Sequence, residues 1–343
     1  MRLTHFIAML YILSSCSACF AIKPSNPKSS QDTRKVLNYI ASLKTRKDKR
    51  VISGQYFGQP GNPGAYDAYV VKLHEKTNRW VALVGADYSF PDYPDPKIIA
   101  SMNATLIQYW KDGGLVTVSS HIGNPWGGNA YERKVGDFDE LLKPGTSAYD
   151  RWMKYWKNIG DGLTELRDNG VVVLFRPMHE MNGGWFWWPN KPEPFKKLWN
   201  FVYDYLTKTR SLNNLIWVFA PNVGYNPTTF YPGADRCDIV GLDYYGRDFN
   251  VTDYASMVAL GKPFGFTEWG VDAQGKGADG SYDNTRLINA IRHKMPDITF
   301  FQVWSSWRNA NIAIVDNQKA TELLNDPWII NREDVNWKRS PAR

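Results

Sequence analysis

Val171–Glu180 reads VVVLFRPMHE, an unbroken apolar run that ends in Arg176, Pro177, Met178, His179 and Glu180. Such a run lacks the polar alternation of a strand with one wet face, and it fits a parallel strand covered on both sides. Similar runs occur at Val51–Gln55 (VISGQ), Trp80–Ser89 (WVALVGADYS), Gly114–His121 (GLVTVSSH) and Leu215–Asn222 (LIWVFAPN). Three more lie at Asp238–Tyr245 (DIVGLDYY), Phe264–Gly270 (FGFTEWG) and Ile298–Ser306 (ITFFQVWSS). Helical patterns fill the intervals, among them Asp150–Asp168 and Phe195–Lys208. In the second, Leu198, Phe201, Val202 and Tyr205 share one face at spacings of three and four. Strand then helix, eight times over, predicts an α/β fold: a single (β/α)8 TIM barrel with its active site at the C-terminal ends of the strands.

Those ends are where the polar and aromatic residues collect: Asp87-Tyr88, His121, His179-Glu180, Asn222, Asp243–Tyr245, Glu268-Trp269 and Trp304. Glu180 closes the fourth run and Glu268 the seventh. Two carboxyl groups at one barrel mouth suit glycoside hydrolysis, in which one is protonated to give a proton to the leaving oxygen. The other is ionised, to attack the anomeric carbon or to activate water. Repulsion between close carboxylates raises the pKa of one and keeps it protonated. Rival motifs fail. His179-Glu180 begins like the zinc motif HExxH, but Gly183 stands at the second His position. Gly54–Gly58 (GQYFG) lacks the serine of a nucleophile elbow. Asp272–Gly280 (DAQGKGADG) reads as a flexible loop without calcium-ligand spacing. No metal or organic cofactor is implied, because sugar hydrolysis needs only two carboxyl groups and water.

The chain has 343 residues, 43% hydrophobic and 22% charged, with no composition of disorder. Its 15 Trp, 19 Tyr and 16 Phe fit either a tryptophan-rich core or a groove lined for sugar rings. The net charge of +7 raises nucleic-acid binding, but the basic residues are dispersed apart from Lys44–Arg50 (KTRKDKR) and Lys338-Arg339, and no nucleic-acid motif accompanies them. Residues 1–21 read as an export signal: Arg2 and His5, an apolar stretch Phe6–Leu13 too short to span a bilayer, then Cys19-Phe20-Ala21. This predicts a secreted protein, with lipid anchoring through Cys16 in Leu13–Cys16 (LSSC) as the alternative. Cleavage after Ala21 leaves Cys237 alone, a buried thiol with no internal disulfide partner. Residues 22–34 read as a linker, 35–335 as the catalytic barrel and 336–343 as a basic tail; no protein partner is implied and a monomer is expected. Asn103-Ala104-Thr105 and Asn250-Val251-Thr252 are glycosylation sequons in a eukaryotic host.

Arg176–Trp188 (RPMHEMNGGWFWW) closely resembles the acid/base signature of glycoside hydrolase family 26, and Phe266–Gly270 (FTEWG) resembles its nucleophile strand. Ser53–Gln55, Gly114–His121 and Gly241–Tyr245 also fit, in the right order, so the resemblance spans about residues 35–330. It implies a retaining enzyme with Glu180 as general acid/base and Glu268 as nucleophile. It further implies that His179 arranges substrate and nucleophile, that Arg176 and Tyr245 hydrogen-bond Glu268, and that Asp243 belongs to the same motif. By the same resemblance His121 contacts the sugar at the cleavage site and Trp185 is an aromatic platform. Trp304 floors the sugar under attack, with Trp307 of Trp307-Arg308-Asn309 as the alternative. Trp187 and Trp188 suit a structural role in their loop. The implied substrate is a mannan-type hemicellulose cut within the chain at β-1,4 bonds; β-1,3-xylan and mixed-linkage β-glucan are the family alternatives. A noncatalytic carbohydrate-binding barrel is the other class considered, and the presence of both glutamates argues against it.

Overall fold

The computed structural model describes residues 22–58, 62, 64–89, 93–272, 277–307 and 309–338. The proposed export signal and Arg308 lie outside them. The apolar runs form parallel strands β1 (Gly54–Gly58), β2 (Leu83–Asp87), β3 (Leu115–Ser120) and β4 (Val173–Pro177), followed by β5 (Leu215–Phe219), β6 (Ile239–Tyr245), β7 (Phe264–Gly270) and β8 (Ile298–Val303). Each pairs with the next, and β8 returns to β1, so the sheet closes into the expected eight-stranded barrel. Two-residue strands at Val51–Ile52 and Ile329–Ile330 pair with each other beneath the seam. Most strands are shorter than the apolar runs, and the trailing residues of most of those runs leave the ladder and carry polar ends; β7 spans its whole run and β1 extends past its own.

The β1–β8 seam has one backbone register pair, Gln55 with Val303, and a side chain reinforces it. Gln55 Nε2 donates to the carbonyls of Val303 (3.1 Å) and Trp304 (3.2 Å), while its Oε1 accepts from the Ile314 amide at 3.0 Å. Gly54 sits where β1 presses on β8: a Cβ there would lie 2.4 Å from the Phe301 carbonyl oxygen.

Helices α1 (Gln31–Ser42), α2 (Lys72–Thr77), α3 (Pro96–Lys111), α4 (Ser147–Asp168), α5 (Pro192–Asp204), α6 (Tyr254–Val258), α7 (Thr285–Lys294) and α8 (Ala320–Leu324) surround the sheet. Asp95 and Thr146 cap α3 and α4 by accepting from the backbone amides of Lys97 and Tyr149. One expected repeat departs from strand-then-helix. Between β5 and β6 there is only a 3-10 turn, Pro227–Phe230. That interval holds Pro221, Pro227, Pro232, Gly224 and Gly233, and Tyr225 and Asn226 take left-handed conformations, so no helix propagates.

The described residues toward either end pack against the barrel. Residues 22–34 are not a free linker: Ser30 caps α1 from Gln31, Asp238 accepts from the Ser25 amide at 2.6 Å, and Asn26 is buried with its amide on the Leu212 carbonyl. Within the proposed tail, Trp337 is buried and stacks on Trp110 at 5.2 Å. Asn103 is fully buried, donating to the Gly162 carbonyl and to Glu165, so its sequon is closed in the folded chain. Cys237 is a buried thiol as expected. Most tryptophans serve the core: Trp152, Trp156, Trp199, Trp217 and Trp269 have no exposed surface.

Gly54→Ala tests the seam. Backbone cannot yield as a side chain would, so the substitution is expected to cost about 1–3 kcal/mol of stability. A lowered thermal midpoint checks it; an unchanged midpoint contradicts the close approach.

Candidate active site

At the C-terminal end of β4 the side chain of Arg176 is buried, and its guanidinium bridges two carboxylates. Nη1 donates to Asp243 Oδ2 at 2.9 Å, and Nη2 donates to Glu268 Oε1. Asp243 and Glu268 stand opposite one another on β6 and β7. The register there gains one residue on β7: Leu242 pairs with Phe266 but Asp243 with Glu268, so Thr267 is the extra residue. A bulge at a barrel rim re-aims the residues around it. Here Thr267 Oγ1 donates to Asp243 Oδ1 at 2.6 Å and Glu268 follows the bulge. Tyr245 donates its hydroxyl proton to Glu268 Oε2 at 2.8 Å. Both oxygens of Glu268 thus accept from fixed donors. Burial works against the charge on Arg176, but Glu268 and Asp243 outweigh it and raise its pKa.

Glu180 lies three residues beyond β4, in a different setting. Met178 and Glu180 both take left-handed backbone conformations, φ +47° and +51°, which are costly for residues with side chains. The turn is tied down by the Glu180 amide on the Ala220 carbonyl (2.8 Å) and by the Gly183 amide on the Glu180 carbonyl (3.0 Å). Among the described residues the side chain takes its hydrogen bond from Trp185, Nε1 to Oε2 at 2.7 Å, and none from a guanidinium. Burial, then the charge of Glu268, push its pKa up from 4.5 to about 8, against the pull of Trp185 and Arg176. Glu180 is therefore protonated near neutral pH, while Glu268 accepts from two fixed donors.

His179 is buried beside these groups, with Nε2 3.0 Å from His121 Nε2 and 3.6 Å from Glu268 Oε1. Burial and the neighbouring Arg176 hold it neutral, far below the ordinary histidine pKa. His121 Nδ1 in turn faces Asp87 Oδ2 at 2.7 Å. Trp304 stacks on Tyr56 with ring centroids 3.6 Å apart and turns an edge toward His121. Trp307 is half-buried against Tyr245. All nine residues singled out from the sequence thus gather at one mouth. Trp187 and Trp188 are buried, and their indoles bond the carbonyls of Ile122 and His179.

Other members were not singled out. Asp87 and Tyr56 are buried beneath His121 and Trp304. Tyr225, 65% exposed, stands 6.4 Å from Trp185, and Tyr131, 47% exposed, stands 5.1 Å from Phe186. A tyrosine in a polar loop carries no signal of its neighbour; only the glycine, asparagine and proline around Tyr225 marked a turn. Among the described residues, His179, Asp243 and Glu268 are the group whose ligand atoms fall within 4.8 Å, but Arg176 already bonds both carboxylates there. A cavity of about 810 Å³ opens at the opposite end of the barrel, between residues 23–28, α5 and Lys262; five of its lining residues are basic and it holds neither glutamate.

Two carboxyls in unlike settings at one barrel mouth, one on a guanidinium and a phenol and the other on an indole, are what cleavage of a glycosidic bond uses, and they set this barrel in the class of glycoside hydrolases. The assignment narrows on comparison with known sequences. The profile of glycosyl hydrolase family 26 matches residues 25–334, and the chain belongs to that family. It is 35% identical to a mannan endo-1,4-beta-mannosidase of Bacillus subtilis strain 168, over 96% of each chain. It is also 35% identical to mannan endo-1,4-beta-mannosidase A and B of Caldalkalibacillus mannanilyticus, covering 99% of this chain and 68% of that one. A solved Bacillus subtilis mannanase superposes with a TM-score of 0.81 at 34% identity, over 91% of this chain and 96% of the other.

The raised pKa of Glu180 predicts the pH profile. An acid that must be protonated fails as pH rises through its pKa, so kcat/KM should fall on the alkaline side near pH 8. Trp185→Phe removes a donor that favours the carboxylate and should move that limb upward. A limb that stays or moves down contradicts the assignment.

Proposed function

We propose that this protein is a secreted, monomeric, retaining endo-β-1,4-mannanase that cuts internal bonds of mannan, glucomannan or galactomannan. The observation that carries the reading is the division of labour between the carboxyls: Glu268 held by Arg176 and Tyr245, Glu180 buried with a raised pKa. Glu268 attacks the anomeric carbon while Glu180 gives its proton to the glycosidic oxygen, and the leaving sugar departs. The ester formed at Glu268 carries no charge, so the repulsion that helped keep Glu180 protonated vanishes. Glu180, now a carboxylate, takes a proton from water as that water attacks the anomeric carbon, and Glu268 leaves as the carboxylate.

His121 and His179 contact the sugar at the point of cleavage, Trp304 lies beneath it with Tyr56 backing its other face, and Trp185 forms a platform beside the acid. Support for mannan comes from the names borne by the Bacillus subtilis and Caldalkalibacillus relatives, matched over nearly all of this chain. Support for secretion comes from the pattern of residues 1–21.

Reducing-sugar release from glucomannan, galactomannan, β-1,3-xylan and barley glucan tests the substrate, with the mannans expected to be cut fastest. In the same assay Glu268→Gln should lose more than about a thousandfold of activity while remaining folded. Glu180→Ala should lose about 10²–10⁴-fold on polymer, but much less on an aryl mannoside whose leaving group needs little protonation. Equal losses on both substrates would reject the acid role, and faster cleavage of xylan or glucan would reject mannan.

A further inference from the structure

We propose that Asp87 is a positioning residue for the nucleophile: acting through His121 and His179, it places one hydrogen on the side of His179 that faces Glu268. The inference rests on the reading of Glu268 as nucleophile and deepens it.

Asp87 ends β2, is fully buried, and has both oxygens engaged. Oδ1 accepts from the amides of Ser89 (2.9 Å) and His121 (3.0 Å), and Oδ2 accepts from Ser119 Oγ (2.7 Å) and faces His121 Nδ1 (2.7 Å). Four donors thus converge on this carboxyl, and hydrogen bonds to the charged form favour the carboxylate whatever the charge on His121. An ionised carboxylate only accepts, so the hydrogen between Asp87 and His121 sits on Nδ1 of the histidine.

One hydrogen then remains to be placed between His121 Nε2 and His179 Nε2, 3.0 Å apart. If His121 carried it as an imidazolium, the hydrogen of neutral His179 would sit on Nδ1, which is buried with no hydrogen-bond partner among the described residues. An orphaned buried N–H is costly. With His121 neutral and Nε2 bare, the hydrogen sits on His179 Nε2. There it bonds His121, and the same nitrogen lies 3.6 Å from Glu268 Oε1, too far for a hydrogen bond but near enough for the positive end of the N–H dipole to act on that oxygen. His179 thus adds a dipole to the two hydrogen bonds that Arg176 and Tyr245 make to Glu268. No proton moves along the chain; Asp87 selects a tautomer, and the selection passes through two rings.

Asp87→Asn keeps an oxygen for the two backbone amides but sets an amide N–H against His121 Nδ1. His121 must then carry its hydrogen on Nε2, head-on against His179. A carboxylate-to-amide change of this kind beside a catalytic histidine is severe in other enzymes. Here the effect is transmitted through a second ring, and kcat should fall on the order of a hundredfold with KM changed less than about threefold. In a His179→Ala background the same substitution should cost little, because the ring that carries the effect is gone. An equal loss with and without His179 would make Asp87 merely structural and overturn the proposal. Long-range proton–nitrogen NMR of the histidine rings in the unmodified protein gives a second reading that does not depend on a variant folding. The expected forms are His121 protonated at Nδ1 and His179 at Nε2; His179 protonated at Nδ1 overturns the proposal. Hydrolysis of mannan by the unmodified protein is measured alongside. With that activity present, a failed relay leaves the proposed function standing, whereas its absence on every β-linked polymer overturns both.

Discussion

The guanidinium of Arg176, shared between Asp243 and Glu268, is the contact on which the site depends. It joins β4, β6 and β7 across the barrel mouth and compensates two buried carboxylates with one buried cation. Charges removed from water are tolerated only when geometry and hydrogen bonds repay their desolvation, and removing one partner leaves the others uncompensated. Thr267 donates to the far oxygen of Asp243 and Tyr245 to the far oxygen of Glu268, but burial, with the charges of Glu268 and Glu180, still raises the pKa of Asp243 well above the ordinary value. The bulge at Thr267 belongs to the same arrangement, since without the extra residue Glu268 would move by one position in the register.

From this contact follows the asymmetry of the two glutamates. They are chemically identical and both nearly buried, yet Glu268 meets a cation and a phenol while Glu180 meets an indole. Low dielectric amplifies the difference, because burial stabilises a carboxylate only where donors converge on it. The left-handed turn through Met178 and Glu180 carries the second glutamate off the strand, where its side chain meets Trp185 while Arg176 bonds Asp243 and Glu268. The backbone cost of that turn is bound up with keeping the acid protonated.

Much of this was legible in the chain because barrels put chemistry at strand ends, and polar residues after apolar runs are visible without coordinates. Glu180, Glu268, Arg176 and Tyr245 could be found that way, and the resemblance around Arg176–Trp188 gave them roles. Asp87 also stands at a strand end, but nothing in Asp87-Tyr88-Ser89 shows that its carboxylate meets a histidine from the next strand. The missing helix after β5 was written in the prolines and glycines of that interval, a local signal that the regular eightfold pattern concealed. Residues 22–34 looked like a linker by composition; their order comes from the distant partners Asp238 and Leu212, which composition does not encode. The tryptophans fit core or groove equally well in sequence, since the same ring serves either, and only burial separates Trp152 and Trp156 from half-buried Trp185 and Trp307.

The central claim is that Glu268 attacks carbon directly while Glu180 first gives and then takes a proton, which is two displacements at one centre. Proton NMR of the products of mannan cleavage, recorded before mutarotation, reads the stereochemistry. The account predicts that the new reducing end appears first as the β-anomer. An α-anomer appearing first would mean a single displacement by water, and would contradict the role given to Glu268.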